Sequence, residues 1–305
     1  MFEIHSPNQV ISQTNQPNIH ADENTVVVGI IIPRTGSLIF DDHYHLELIQ
    51  GIAEECNKKE YTVILFLFHS SENKEDLYTR LIQPGFCNGL IVSSSAEPDD
   101  PLMPFLSKNE FKFVTIGKQP NFPQISYVDV DNEQGAYTAV SHLIKQGYQR
   151  IATITGPQTM TAGISRYQGY LNALKEHNLI LDNDLVIEGK FTQNSGYDGM
   201  ETLLPHQPDA VFIASDTMAL GALQAINKAG LSVPHDIAIV GFDDIKTAAI
   251  TSPPITTIRQ PISETGKIAV SLLLDTLEKE SSLPQHKILD TELIIRQSCG
   301  SSLKK

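Results

Sequence analysis

A chain of 305 residues, 41% of them hydrophobic, is long enough for about two domains of ordinary size. Its 22 Lys and Arg stand against 36 Asp and Glu, a net charge of −14, which argues against nucleic-acid binding by this chain alone because phosphate contacts need clustered cations. No apolar stretch approaches the roughly 20 residues of a membrane span, and three widely spaced cysteines (Cys56, Cys87, Cys299) without a CxxC point to free thiols in a reducing compartment rather than a zinc site or disulfide framework.

Residues 1–24 are rich in Asn, Gln and Ser, contain no Lys or Arg and have no periodicity, so a flexible tail is expected. They have neither the basic nor the apolar segment of a secretory signal, which places the chain in the cytoplasm. From Thr25 strands alternate with helices. The pattern predicts strands at Val26–Ile32, Val63–Phe68, Gly89–Val92 and Phe113–Ile116, with helices at Leu46–Cys56, Lys74–Ile82, Leu102–Ser107 and Gln134–Gln146, the last stopped by Gly147. The scheme then starts again. Strands are predicted at Ile151–Ile154, Leu185–Glu188, Val211–Ala214 and Ile237–Val240, and helices at Ser165–His177, Ser195–Leu204 and Met218–Ala229. A long helix, Ser263–Glu278, and a final strand, Asp290–Ile295, follow. Two runs of βα units with continuous β-branched strands predict an α/β fold of two doubly wound parallel sheets.

In such sheets ligands bind beyond the carboxyl ends of the strands. Asp243 follows the strand Ile237–Val240, and a carboxylate accepts two hydrogen bonds from vicinal hydroxyls, as a sugar or nucleoside offers; a loop acid or helix cap is the bland alternative. Arg166 sits near the start of a helix, where the dipole does not favour it, so it serves either a ligand or a structural ion pair. Phe191, after Leu185–Glu188, can stack on a sugar face or fill the core. Asp131 ends an apolar segment and is either a ligand contact or the cap of the helix that follows. Asp216 is expected to cap the helix after it. Ser93 and Ser94 can donate to hydroxyls or form a plain turn. His43 and His45 have no evident third partner for a metal. No GxSxG, HExxH, GxxxxGK[ST] or strand-borne GxGxxG occurs, so neither an enzyme nor a bound cofactor is expected.

The segments ASDTMALGAL, GLSVPHDIAIVGFDD and PPITTIRQP occur in the order seen in the effector-binding core of the LacI/GalR family of bacterial transcription regulators, and the resemblance extends from about Val26 to Cys299. It implies a periplasmic-binding-protein-like fold with a ligand cleft between two subdomains, expected at 25–147 with 261–283 and at 148–260 with 284–302. The chain would cross between them near Gly147, Gln260 and Ser281–His286. The resemblance makes Arg166 the ligand-gripping arginine and Gln260 a ligand contact. It adds Tyr44 from the loop after the first strand, Ser215 where relatives often carry Asn, and Lys118 where some carry Arg. Positions Gln158–Ala162 diverge within the family, and Met160 and Ala162 are poor partners for charged or polyhydroxy groups. The implied protein is a homodimeric, sugar-sensing regulator that meets operator DNA only through a helix-turn-helix with no counterpart in residues 1–24. A free-standing sugar-binding protein of a transport system would share the fold and is the alternative.

Overall fold

The structure, a computed structural model, describes residues 25–35, 42–68, 74–93, 101–278 and 283–301. The expected tail over 1–24, and Ser94, lie outside them. Strands β1 (Val27–Thr35), β2 (Thr62–Phe68), β3 (Gly89–Ser93), β4 (Phe113–Ile116), β5 (Tyr127–Val130) and β11 (His286–Leu289) form one sheet, in the order β11-β5-β4-β3-β1-β2. Strands β6 (Ile151–Thr155), β7 (Val186–Glu188), β8 (Ala210–Ile213), β9 (Ala238–Asp243), β10 (Thr256–Arg259) and β12 (Glu292–Ile294) form the other, in the order β12-β10-β9-β8-β6-β7. Every pairing is parallel except β10 with β12. The helices are α1 (His43–Lys58), α2 (Lys74–Leu81), α3 (Leu102–Lys108), α4 (Asn132–Lys145), α5 (Thr161–Glu176), α6 (Gln193–Leu203), α7 (Asp216–Lys228) and α8 (Ile262–Glu278).

The central strands are covered on both faces, which is why they read as unbroken apolar runs. In β1, Val28, Ile30 and Ile32 pack with α1 and α8, while Val27 and Ile31 pack with Tyr78, Leu81 and Leu102 on the opposite face. In β8, Val211 and Ile213 face Met218, Ala222 and Ile226 of α7, while Ala210 and Phe212 face Ala136 and Val140 of α4.

Two of the three expected crossings fall elsewhere. The first is not at Gly147: α4 already buries Ala136, Ala139, Val140 and Leu143 against Ile151, Phe212 and Val240 of the second sheet. The chain therefore crosses at Asp131, between β5 and α4. The third is not at Ser281–His286, because β11 adds to the first sheet in register with β5, His286 opposite Tyr127 and Leu289 opposite Val130. That crossing lies at Asp290–Thr291, ahead of β12. The second is at Gln260–Pro261, after which α8 packs Ile262, Ala269, Val270 and Leu273 against β1, β3 and β4. The β5–β11 ladder runs up to the first connector, the Asp131 N–H donating to the Leu289 carbonyl at 2.9 Å.

Candidate ligand-binding cleft

Between the lobes, beyond the carboxyl ends of both sets of strands, lies a cavity of about 750 Å³, its open mouth included. The first lobe lines it with Asp42, Tyr44 and His45 at the start of α1, Ser93 at the end of β3, Ile116 and Gly117 after β4, Asp129 and Val130 of β5, and Thr265 of α8. The second contributes Asn132, then Met160, Ala162 and Arg166 around the start of α5, Phe191 after β7, Ser215 and Thr217 at the start of α7, Asp243 and Gln260.

Seven of the nine residues singled out in the sequence thus meet in one cavity: Asp243, Arg166, Phe191, Gln260, Ser215, Tyr44 and Ser93. Two do not. Asp131 is exposed and caps α4, accepting from the Gln134 N–H at 3.0 Å. Lys118 is exposed, and its backbone is what the fold uses: its N–H donates to Asp129 Oδ2 at 2.8 Å and its carbonyl accepts from Thr161 Oγ1 at 3.0 Å. The cap of α7 is Ser215, which accepts from the Met218 N–H at 3.2 Å, and not Asp216. Asp216 is fully buried and accepts from Thr257 Oγ1 at 2.7 Å and from the Ile245 N–H at 3.1 Å, tying α7 to β10 and to the turn after β9.

The chemistry centres on one cation. Arg166 donates from Nη1 to Asp243 Oδ1 at 3.2 Å and to the Ala214 carbonyl at 2.6 Å, and from Nε to Asn132 Oδ1 at 2.8 Å. Its guanidinium lies 3.7 Å from the Phe242 ring centroid and 5.7 Å from that of Phe191, a geometry that holds the plane rigid. Among the described residues none accepts from Nη2. Gln260 donates to the same Asp243 oxygen at 2.5 Å. Burial pushes the Asp243 carboxyl up to about 6; Arg166 opposes that shift and Asp42 adds to it. Burial, with Asp243 nearby, also raises the Asp216 carboxyl well above the usual carboxylate range. Asp129 is also raised by burial, against the pull of the Lys118 and Val130 N–H groups.

Asp243 and Asp244 have φ of +115° and +61°. Such backbone is costly for side chains other than glycine and persists only where surroundings enforce it. Here Asp244 is clamped by Arg296 Nη2 at 2.5 Å and Arg259 Nε at 2.7 Å, so the carboxylate beside it is aimed by a strained turn. Phe191 is placed by a different device. A Cβ at Gly156 would fall 2.1 Å from the Phe191 Cζ, so the ring occupies space only glycine leaves free. Gly156→Ala is expected to displace the ring, lower stability by about 1–3 kcal/mol and weaken ligand binding about tenfold; urea unfolding and calorimetry read the two effects.

Asp42, Asp129, Asn132 and Thr217 escaped sequence reasoning. Asp129 was missed because β5 was not recognised as a strand, so the alternation separating it from Asp131 was not visible. Asp42 caps α1 through the Tyr44 N–H at 3.1 Å, pairs with His45 Nδ1 at 3.0 Å, and accepts from Thr217 Oγ1 of the other lobe at 3.4 Å. Its signal was an N-cap preceding an unusually early helix start. Among the described residues no group of three or more His, Cys, Asp or Glu is arranged to hold a metal.

Two doubly wound lobes with a polar, partly aromatic cleft at their strand ends define a ligand-binding core of the periplasmic-binding-protein type. The sequence profile of the periplasmic binding protein-like domain matches residues 140–299. The chain is 35% identical over 278 residues to the HTH-type transcriptional regulator CelR of Thermobifida fusca, covering 90% of this chain and 81% of that protein. It is 33% identical over 258 residues to the HTH-type transcriptional repressor PurR of Yersinia enterocolitica, covering 84% and 76%. The solved structure of a transcriptional regulator CelR–cellobiose complex superposes with a TM-score of 0.84 at 34% identity, covering 89% of this chain and 84% of the other. The chain belongs to the LacI/GalR family of transcriptional regulators and comprises that family's effector-binding core.

Proposed function

We propose that the effector of this core is a sugar, gripped in the cleft by Arg166, Asp243 and Gln260 from the second lobe, with Phe191 against a ring face and Tyr44 and Ser93 contributing from the first. The observation that carries this reading is the Arg166–Asp243–Gln260 cluster. It offers a directed cationic donor and a carboxylate acceptor side by side, the pairing a vicinal diol requires. Its occurrence in a relative of a regulator solved with cellobiose supports the class. Ligand binding across the cleft favours the closed arrangement of the lobes in proportion to the difference in affinity between the two arrangements. In a homodimer that closure would reposition a DNA-reading helix-turn-helix, and a regulator of this kind works in the cytoplasm with its operator. The relatives named above are regulators, which favours this reading over a transport-associated sugar binder.

The test is a thermal-unfolding screen against cellobiose, other glucosyl disaccharides and common monosaccharides. A ligand at about 100 times its Kd should add about 2.7 kcal/mol of stability, a rise of several degrees for lobes of this size. No rise with any sugar would sink the proposal.

A further inference from the structure

The Arg166 guanidinium stands between two of the three connectors. The second connector carries Gln260, which donates to the same Asp243 carboxylate that Arg166 holds. The first is a single residue: β5 ends at Val130, α4 begins at Asn132, and Asp131 lies between them with φ −74° and ψ 78°, neither helical nor extended. Asn132 brackets it. Its Nδ2 donates back to Asp129 Oδ1 at 2.9 Å and to the Val130 carbonyl at 3.2 Å, both in the first lobe. Its Oδ1 accepts from Arg166 Nε, in the second lobe, at 2.8 Å. The side chain is buried, 5% exposed. A guanidinium only donates, and a carboxylate and a carbonyl only accept, so the amide has one orientation that satisfies all three partners. Helix α4 belongs to the second lobe, with Ala136, Ala139 and Val140 packed against Phe212 and Val240. A turn of the lobes about Asp131 therefore pulls Asn132 away from Asp129 and Val130 while leaving it beside Arg166.

We infer that Asn132 is a positioning residue, fixing the lobe-to-lobe angle at Asp131 through its bonds to Asp129 and Val130. Arg166 holds the amide in the required orientation from the other side. An amide is the short side chain suited to the task, because it presents an acceptor and a two-proton donor at fixed places on one rigid plane. The three bonds bridge the connector at its narrowest point, where one pair of backbone angles separates two packed bodies, and rotation of that kind is absorbed by a few residues between elements. Asn132 need not touch the effector for this. The inference goes beyond the sugar reading and does not depend on which effector binds.

The experiment is a distance measurement on the ligand-free chain. Lys58→Cys on α1 and Asp198→Cys on α6 are exposed and lie in different lobes, and they take nitroxide spin labels while the native cysteines stay buried. Pulsed electron–electron resonance, with labelled chain diluted in unlabelled chain, reads the spacing within one chain. The parent should give a single narrow distribution. Asn132→Asp keeps an acceptor for Arg166 but turns a carboxylate toward Asp129 in place of the donor, so the distribution should broaden. Adding Asp129→Asn returns a donor to that contact from the opposite side and should narrow it again. Thermal melts check the folding of each variant. If Asn132→Asp does not fold, Asn132→Ser, too short to span both partners, decides in its place and should broaden the distribution. A distribution in the Asn132 variant with the parent's centre and width overturns the inference. Broadening in Asn132→Asp that Asp129→Asn fails to reverse overturns it too, since the Asn132–Asp129 contact is then not what sets the angle. No sugar is present at any step, so failure of the sugar reading would leave these outcomes as they stand.

Discussion

Arg166→Ala is expected to be the most damaging single change in the cleft, lowering stability by about 3 kcal/mol and abolishing measurable effector binding. Arg166 is 5% exposed and carries three protein hydrogen bonds. Its removal leaves Asp243 a buried acid without a counter-charge and strands the Asn132 and Ala214 oxygens. Breaking a buried pair from one side costs about 3–5 kcal/mol, and the lower end applies because the cavity admits water to the vacated space. Arg166→Lys restores the charge but not the fork that reaches Asn132 and Asp243 together, so it should recover a minority of the stability and little of the binding. Urea unfolding at pH 7.5 reads the first effect, calorimetry the second. An alanine variant with parental stability would mean that the guanidinium is not what holds the cluster together.

Asp243 should behave in the opposite sense. Asp243→Asn is expected to raise stability at pH 7.5, on the order of 1–3 kcal/mol, while weakening effector binding at least about 30-fold. The reason is the sign of its shift. The folded chain keeps the Asp243 proton up to about 6, whereas an unstrained aspartate releases it near 3.8. The folded state therefore binds more protons than the unfolded state between these values, and stability falls as pH rises through that window. At neutral pH the charged carboxyl is a standing cost that asparagine removes. The variant keeps one acceptor oxygen for Arg166 but loses the second acceptor a diol needs. Denaturant melts from pH 4.5 to 7.5 should show the parent losing stability relative to Asp243→Asn as pH rises through about 6. Parallel curves would remove Asp243 from this role. The two variants differ in direction because burial already disfavours the charged Asp243 and Arg166 opposes that: taking away the guanidinium leaves the carboxylate without this support, and taking away the carboxylate removes the cost of burying its charge.

The elements most plainly written in the sequence are those whose burial is symmetric. The strands Gly89–Ser93, Phe113–Ile116 and Ala210–Ile213 are covered on both faces and read as apolar runs. The two misplaced crossings share another cause. β5 is Tyr-Val-Asp-Val, with intermediate and buried residues in alternation, and β11 is His-Lys-Ile-Leu at a sheet edge, mostly exposed. Neither announces itself, and without β5 nothing in the order of residues says which sheet α4 must cover. That choice is made by Ala136, Val140 and Leu143 fitting against Phe212 and Val240, a match between distant segments. The cleft was legible wherever a recognised strand pointed to its own carboxyl end, as at Ser93, Phe191 and Asp243. It was illegible where the strand was missed, as at Asp129, and where a polar residue has two uses, as with Asp42, which both caps a helix and lines the cavity.

The placement of the connectors has a mechanical consequence. β5 and β11 are neighbours at one flank of the first sheet, and β10 and β12 are neighbours at one flank of the second. All three links therefore leave along the same border, and the first begins where the β5–β11 ladder ends, at the Asp131–Leu289 hydrogen bond. Bodies joined along a single border turn most easily about that border, as a hinge does. The outermost strands, β2 on one lobe and β7 on the other, lie farthest from that border in the strand order, so a turn about it would move them most. A short-range grip on a small molecule would thus be read out as a displacement greatest where the grip is not felt.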